Sequence, residues 1–482
     1  MTCMGRHIHF IGVGGSGLSA IATVLQERGE LVSGSDNRES AATRRLQERG
    51  VTVMIGHNPQ NILGADLVIR SSAVQDDHVE VQAALRAGIP VLKRRDFLNE
   101  LTADQRPIAI AGTHGKTTTT ALIAWILSAL GEDPSYVIGS WSVNLGNNAR
   151  AGSGAYFVIE ADEYDRMFLG LHPWVAVVTN IEHDHPDCYP TPADFMRAFQ
   201  AFAGQIRAGG TLIVGIDDAG ARELYSWAQA QDINCRSYSL LDAGADYYAL
   251  ESVLNAKGGF TFGVARGGVR IIDNLSLQIP GMHNVSNALA ALAVVDTLGL
   301  SVGAAARACE SFLGAARRFD LRGARQGIMI FDDYAHHPTE IRATLSAARM
   351  RFPDRRIWAV WQPHTYSRTR ALLDEFSQAF ANADRIVVTE IYPAREQPPA
   401  DGFSGAKVVS AFKKSNSYRG DVVHYIPEFP AVVRFLLREA RPGDVVIVLS
   451  AGDADSISAA LLAELPDDGL VTDQSQPVGP EE

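Results

Sequence analysis

Apolar residues fall along this 482-residue chain in two rhythms: short unbroken runs, and longer stretches at helical spacing. The first kind reads as buried strand and the second as helix. His7-Ile-His-Phe-Ile-Gly-Val13 opens as a strand, Leu18–Arg28 follows as a helix, and Leu31-Val-Ser-Gly-Ser-Asp36 is a second strand. Runs at Asp66–Ile69 and Pro90–Leu92 alternate with helical segments, as in a parallel sheet. Ile108–Ala111 is the next strand, and a helix opening on Lys116 and Thr117 runs to Leu130. Ala155–Ile159 and Trp174–Asn180 are further strands, and residues 246–280 read as antiparallel strands (Tyr247–Val253, Gly259–Val264, Val269–Leu277) before a helix begins at Pro280. Ala316–Asp320 reads as a link, after which Gly327–Phe331, Arg356–Trp361, Arg385–Thr389 and Asp444–Leu449 form another parallel sheet. The tail Val471–Glu482 has no apolar periodicity and is expected to be disordered. An α/β chain of this length implies two to four domains.

Composition narrows the partners more than the fold. Hydrophobic content of 46% and charged content of 20% describe an ordinary soluble protein. No run approaches a membrane span, and the N-terminus reaches a strand without a secretory h-region, so membrane and export are not expected. Four scattered cysteines (Cys3, Cys188, Cys235, Cys309) form neither a disulfide framework nor a zinc spacing, which suits the cytoplasm. A net charge of −12 argues against nucleic acid. Any anionic substrate must therefore be held by local Lys, Arg and amide groups.

The chemistry sits where strands end. Ile108–Ala111 runs into Gly112-Thr-His-Gly-Lys-Thr-Thr118 at a helix start, where bare amides and the helix dipole receive phosphate. Lys116 supplies a mobile charge for the outer phosphates, and the Thr117 hydroxyl can ligate magnesium. The usual phosphate-loop spacing puts a glycine where Ile110 stands, so this is a shortened form. Upstream, Gly12-Val-Gly-Gly-Ser-Gly17 with Asp36 is the dinucleotide-fold fingerprint: a diphosphate on a helix N-terminus and a ribose near the acid. It specifies a fold better than a ligand, since any nucleoside diphosphate offers the same handles. Glu160-Ala-Asp-Glu-Tyr-Asp165 places four acids at a strand end, a donor set that suits magnesium. The second acidic segment, Ile181-Glu-His-Asp-His-Pro186, contains His185, which is either a hydrogen-bonded loop histidine or a second-metal ligand. His283, Asn284 and Asn287 share the first turn of a helix, as caps or as a base-binding edge.

Taken together, GVGGSG, AGTHGKTTTT, EADEYD, TNIEHDH, GMHNVSNALAA, RRF, DDYAHHPTE and QPHTYSRTR resemble the Mur ligases of bacterial cell-wall synthesis, in the family's order and from Gly12 to about Gly452. The resemblance implies three domains: a Rossmann-like UDP-sugar domain (1–104), a central P-loop ATPase-type α/β domain (105–315) and a Rossmann-like C-terminal domain (316–470), with 471–482 as the tail. It implies ATP and Mg2+ as cofactors, with Mn2+ as a substitute, and ligation of L-alanine to the lactyl carboxylate of UDP-N-acetylmuramate by a monomer or weak dimer. ATP would lie on Gly112, Thr113, Gly115, Lys116, Thr117 and Thr118, with His283, Asn284 and Asn287 at the adenine and Arg318 reaching phosphate. Thr117 and Glu160 would hold one magnesium and His185 a second. Gly12, Gly14, Gly15, Gly17 and Asp36 would hold the UDP part, and Tyr334, His336, His364 and Arg368 the muramoyl carboxylate and amino acid. Lys116, His185, His336 and Arg368 form the catalytic set.

The family's pattern has two departures here. Thr365 stands where relatives often carry arginine, and Tyr164 stands where many alanine ligases have serine. No lysine occurs between Asp184 and Ala256, so the carbamylated lysine of relatives using other amino acids has no counterpart there. The implied reaction turns a carboxylate into an acyl phosphate that an amine then attacks, with metal and Lys116 charge stabilising the first step and His336 as base. Closure of the third domain is the implied safeguard against hydrolysis. The rivals are a dehydrogenase, suggested by GVGGSG alone, a non-catalytic nucleotide-binding regulator, and a muropeptide-recycling ligase of the same family.

Overall fold

The computed structural model describes residues 5–414, 418 and 421–466; the tail Val471–Glu482 lies outside them. Backbone contacts divide the chain between Ala316 and Arg317 into two compact units.

The first unit holds two sheets. In the smaller, strands Thr52–Ile55, Leu31–Asp36, His7–Ile11, Leu67–Arg70 and Val91–Lys93 lie side by side in that order, all parallel. Strand order reverses beside His7–Ile11, and a crevice outside the carboxyl ends at such a point is where open α/β sheets take ligands. The helix after the first strand spans Ser16–Glu27, two residues earlier than the apolar pattern suggests. Gly15 is its N-cap, so Gly17 falls inside the first turn rather than before it.

The larger sheet has ten strands. Its middle is parallel, with an antiparallel hairpin at one edge (Ser135–Ser142 with Asn147–Arg150) and Tyr247–Leu254, Phe260–Arg266 and Val269–Ser276 at the other. Arg106–Ala111 is central, between Tyr156–Glu160 and Val175–Val178. These three strands are apolar and nearly fully buried, because helices cover both faces of the sheet. Helices Lys116–Ala129 and Met282–Thr297 are buried almost all round, with apolar residues along most of their length, and pack against each other.

The second unit is a six-stranded sheet in the order Asp320–Arg325, Ile328–Asp333, Val445–Leu449, Ile357–Trp361, Arg385–Val388, Val423–Tyr425. Only the first of these strands is antiparallel. It is an edge strand where the sequence reads only a link, since Asp320-Leu-Arg-Gly-Ala-Arg325 carries no apolar alternation to announce it. No helix among the described residues is long and apolar enough to cross a membrane.

Candidate active site

Three adjacent parallel strands of the larger sheet deliver three chemical segments to one place. The central strand ends in the Gly112–Lys116 turn, its neighbour Tyr156–Glu160 in the acidic run, and Val175–Val178 in Thr179–His185. Neighbouring strands lie about 5 Å apart, so adjacency in the sheet fixes adjacency of the loops.

The turn is held rigid from the third segment. The Thr113 hydroxyl donates to the Glu182 carbonyl at 2.8 Å and accepts from the Glu182 amide at 2.9 Å. The His114 amide donates to Asn180 Oδ1 at 2.9 Å, and the His114 carbonyl accepts from Thr179 Oγ1 at 2.6 Å. The His114 ring pairs with the Glu182 carboxylate at 2.9 Å. Two glycines are needed for this closeness. Gly112 has φ +127°, and a Cβ on it would overlap Thr179 Oγ1 and come within 2.9 Å of the Thr179 amide. Gly115, at φ +82°, would put a Cβ 2.8 Å from Asn287 Oδ1.

Lys116 opens the helix, and its ammonium is folded back to donate to Gly112 O (2.6 Å), Thr113 O (3.1 Å) and the Glu163 carboxylate (2.9 Å). Burial opposes its charge, but the fields of Glu163, Asp162 and Glu160 together leave its pKa raised. At Glu160 burial prevails and lifts the pKa, against the pull of Lys116 and of hydrogen bonds from the Gly139 amide (2.8 Å) and the Thr117 hydroxyl. Thr117 and Glu160, the expected metal pair, are therefore already in contact, and a buried carboxylate held this way gains a strong partner when a divalent cation joins it. His185 sits at φ +55°, with its Nε2 3.5 Å from Glu163 and 3.7 Å from Asp184, edge-on to Tyr164. The donor set of hydroxyl, carboxylates and imidazole fits magnesium or manganese. Thr118 is buried in the first helical turn.

Asn284 and Asn287 are engaged within the protein. Asn284 donates to Pro280 O at 2.7 Å and accepts from Asn287 at 3.0 Å, while Asn287 Oδ1 accepts from Thr119 of the phosphate-loop helix at 3.1 Å. Both are buried and brace the loop, whereas His283 is exposed on the same turn.

The N-terminal glycine loop is built with a different economy. Gly12 has φ +82°, and its amide donates to Ser35 O. The Gly14 amide donates to Asp36 Oδ2 at 2.9 Å, so the acid expected at a ribose caps its own loop here. A Cβ on Gly17 would overlap the Arg94 guanidinium, which crosses the start of that helix. Arg94 also lies 3.7 Å from Asp162 and contacts Met167, linking the N-terminal loop to the acidic run. Sequence reasoning passed over Arg94, Thr179, Asn180, Glu163 and Glu182. The last four stand inside the motifs TNIEHDH and EADEYD, which were the available signal.

In the second unit, Tyr334 and His336 follow strand Ile328–Asp333, while His364 and Arg368 follow Ile357–Trp361. The structure brings them together: the His336 and His364 rings are 5.7 Å apart, and Tyr334 lies edge-on to His336. Arg368 is buried, with its guanidinium 3.1 Å from His364 Nδ1. His364 stacks on Tyr392. Arg318 lies over the Tyr334 ring and 3.6 Å from Glu340, which also meets His336 Nδ1 at 3.2 Å. His336 Nδ1 is 2.9 Å from the Tyr334 carbonyl. A carbonyl only accepts, so Nδ1 carries the proton and Nε2 is the basic atom of the neutral ring. Burial pushes Asp333 up to about 6, with Arg318 pulling against it. Thr365 adopts φ +65°, ψ 144°, a strained backbone that caps the helix bearing Arg368.

Comparison with known proteins decides the family. Residues 7–106 match the Mur ligase family catalytic domain, 110–295 the Mur ligase middle domain, and 317–452 the Mur ligase glutamate ligase domain. A UDP-N-acetylmuramate–L-alanine ligase of Roseiflexus is 42% identical over 95% of this chain and 99% of its own length. The chain belongs to the Mur ligase family. It is accordingly an ATP-dependent, amide-bond-forming ligase. The alanine ligase of Pelotomaculum thermopropionicum is also 42% identical, over 95% of this Mur ligase and 98% of its own chain. Among solved structures, the UDP-N-acetylmuramate–alanine ligase of Thermotoga maritima aligns with a TM-score of 0.79 at 28% identity, covering 95% and 98% of the two chains. A murein peptide ligase of Psychrobacter arcticus gives 0.70 at 28%, covering 96% and 99%.

Proposed function

We propose that this Mur ligase joins L-alanine to the lactyl carboxylate of UDP-N-acetylmuramate, converting ATP to ADP and phosphate through an acyl phosphate. The observation that carries the reading is the convergence of Lys116, Glu160 with Thr117, and His185 on three neighbouring strand ends, in a chain whose full-length relatives are named for this reaction. Thr117 and Glu160 would hold one magnesium ion and His185 a second, and the ions would supply positive charge to offset the anionic reactants.

The chain's own groups do the rest. Amides of Gly112–Thr118 and the Lys116 ammonium cradle the outer phosphates and stabilise charge as the γ-phosphoryl moves in line to the carboxylate. His283 and the turn braced by Asn284 and Asn287 border the adenine. The N-terminal loop, Gly12 to Gly17 with Asp36, takes the uridine diphosphate. The amine must be neutral to attack, and His336 Nε2 receives its proton while Glu340 and the Tyr334 carbonyl fix the ring. Arg368, set by His364, pairs with a carboxylate, and Arg318 with phosphate. The acyl phosphate then loses phosphate as the amide forms.

The test is phosphate release by purified protein given ATP, Mg2+, UDP-N-acetylmuramate and L-alanine. A parallel arm offers the muropeptide tripeptide in place of alanine. Release that depends on alanine supports the reading; release with the tripeptide alone assigns the recycling reaction instead.

A further inference from the structure

The mechanism above gives Glu163 no task, yet it is the most deeply placed acid of its run, 1% exposed. Both its carboxylate oxygens lie 2.9 Å from the Lys116 ammonium, and one is 3.5 Å from His185 Nε2. Its carbonyl is tied down by the Tyr189 hydroxyl. Lys116 is meanwhile turned inward, giving its other protons to Gly112 O and Thr113 O. A buried ammonium needs an anion and a buried carboxylate needs a cation, and here each supplies the other. A lysine spent on its own loop and on Glu163 is not available to a triphosphate.

We propose that Glu163 is a built-in stand-in for the nucleotide's terminal phosphate, neutralising Lys116 when no nucleotide is bound, and that nucleotide binds by displacing it. The inference rests on the ATP site described under Proposed function. Its consequence is selective. Once Lys116 turns to phosphate, Glu163 is left buried beside His185 without its ammonium, and bare nucleotide brings only more negative charge. A nucleotide carrying a divalent cation brings the compensating charge with it. The exchange therefore disfavours metal-free ATP and favours the metal–nucleotide complex.

Direct binding of ATP, measured calorimetrically in EDTA and in magnesium, separates the possibilities. Removing the competitor enlarges the fraction of protein ready to bind. Glu163→Gln is expected to tighten metal-free ATP binding by roughly tenfold or more and to shrink the difference between EDTA and magnesium. The same change in a Lys116→Met background is expected to give no tightening, because the competition acts through that ammonium. Simple damage to the site weakens binding and cannot tighten it. Should Glu163→Gln unfold, Glu163→Asp, which withdraws the charge by one methylene, is expected to show a smaller gain of the same sign. Unchanged or weaker metal-free binding in the folded variant overturns the proposal. Wild-type protein that binds no ATP even with magnesium overturns the ATP-site reading instead.

Discussion

Two glycine turns in the first unit look alike in sequence and are built to opposite ends. At Gly12–Gly17 the loop's charge partner is Asp36, which takes the Gly14 amide at 2.9 Å. At Gly112–Gly115 the loop carries its own cation, and Glu163 takes that at 2.9 Å. The first turn's own residues offer a diphosphate only amides and the helix dipole, a modest and geometrically exact attraction, and the cation beside Gly17, Arg94, comes from another helix. The second adds a full charge to which a reacting phosphoryl group can respond. The difference separates a turn that holds a substrate from one that stabilises chemistry.

The sharpest way to break that comparison is Lys116→Ala. Turnover is expected to fall by about a thousandfold or more, the scale of a lost electrostatic clamp, while UDP-sugar binding stays within a few fold. An active variant would erase the distinction between the turns. Next in size is a pair of glycine changes. Gly112→Ala drives a Cβ into Thr179 at a φ of +127°, and ATP affinity is expected to drop on the order of a hundredfold. Gly15→Ala meets nothing nearer than the Gly12 carbonyl at 3.5 Å, so UDP-sugar affinity is expected to move only slightly. Equal losses in a binding titration of both variants would mean that the turns share one function.

How much of this was legible follows from how local each signal is. Ile108–Ala111 running into Gly112–Thr118 announces strand, turn and helix within a dozen residues, and the structure keeps that order. EADEYD announces a cation site, but not which acid faces which partner: Glu160 meets Thr117, and Glu163 meets Lys116. That division depends on the turn after the strand, where Asp165 and Arg166 both take left-handed backbone that no composition rule foretells. Arg94 reaches Gly17 only because the chain folds back across 77 residues, so no window of sequence contains the pair. The edge strand Asp320–Arg325 was hidden for the reverse reason: lying at an edge, it buries too little to need an apolar rhythm.

His185→Ala is a smaller, finer probe of the second turn. Several-fold more magnesium is expected to be needed for half-maximal rate, read from a metal titration; an unchanged requirement would return His185 to a hydrogen-bonding role in its loop. The smallest effect concerns the frame of the first turn. Glu80 is fully buried, and although burial opposes its charge, the His9 ring 3.7 Å away and hydrogen bonds from Ser35, Asn61 and Asn58 draw its pKa down to about 2. A carboxyl lowered in the folded state adds stability above its unfolded pKa of about 4.3, and that contribution is lost as pH falls towards 2. Glu80→Gln is expected to cost about 1–3 kcal/mol at neutral pH and to flatten the acid limb of thermal stability between pH 5 and 2. An unaltered limb would place the acid sensitivity elsewhere.

The most direct measurement is ADP formation by purified wild-type protein with Mg2+, ATP and UDP-N-acetylmuramate, before and after adding L-alanine. The account predicts steady ADP production that requires both the sugar acid and alanine, with one alanyl product per ADP. No ADP above background, or ADP that forms without the sugar acid, would contradict it.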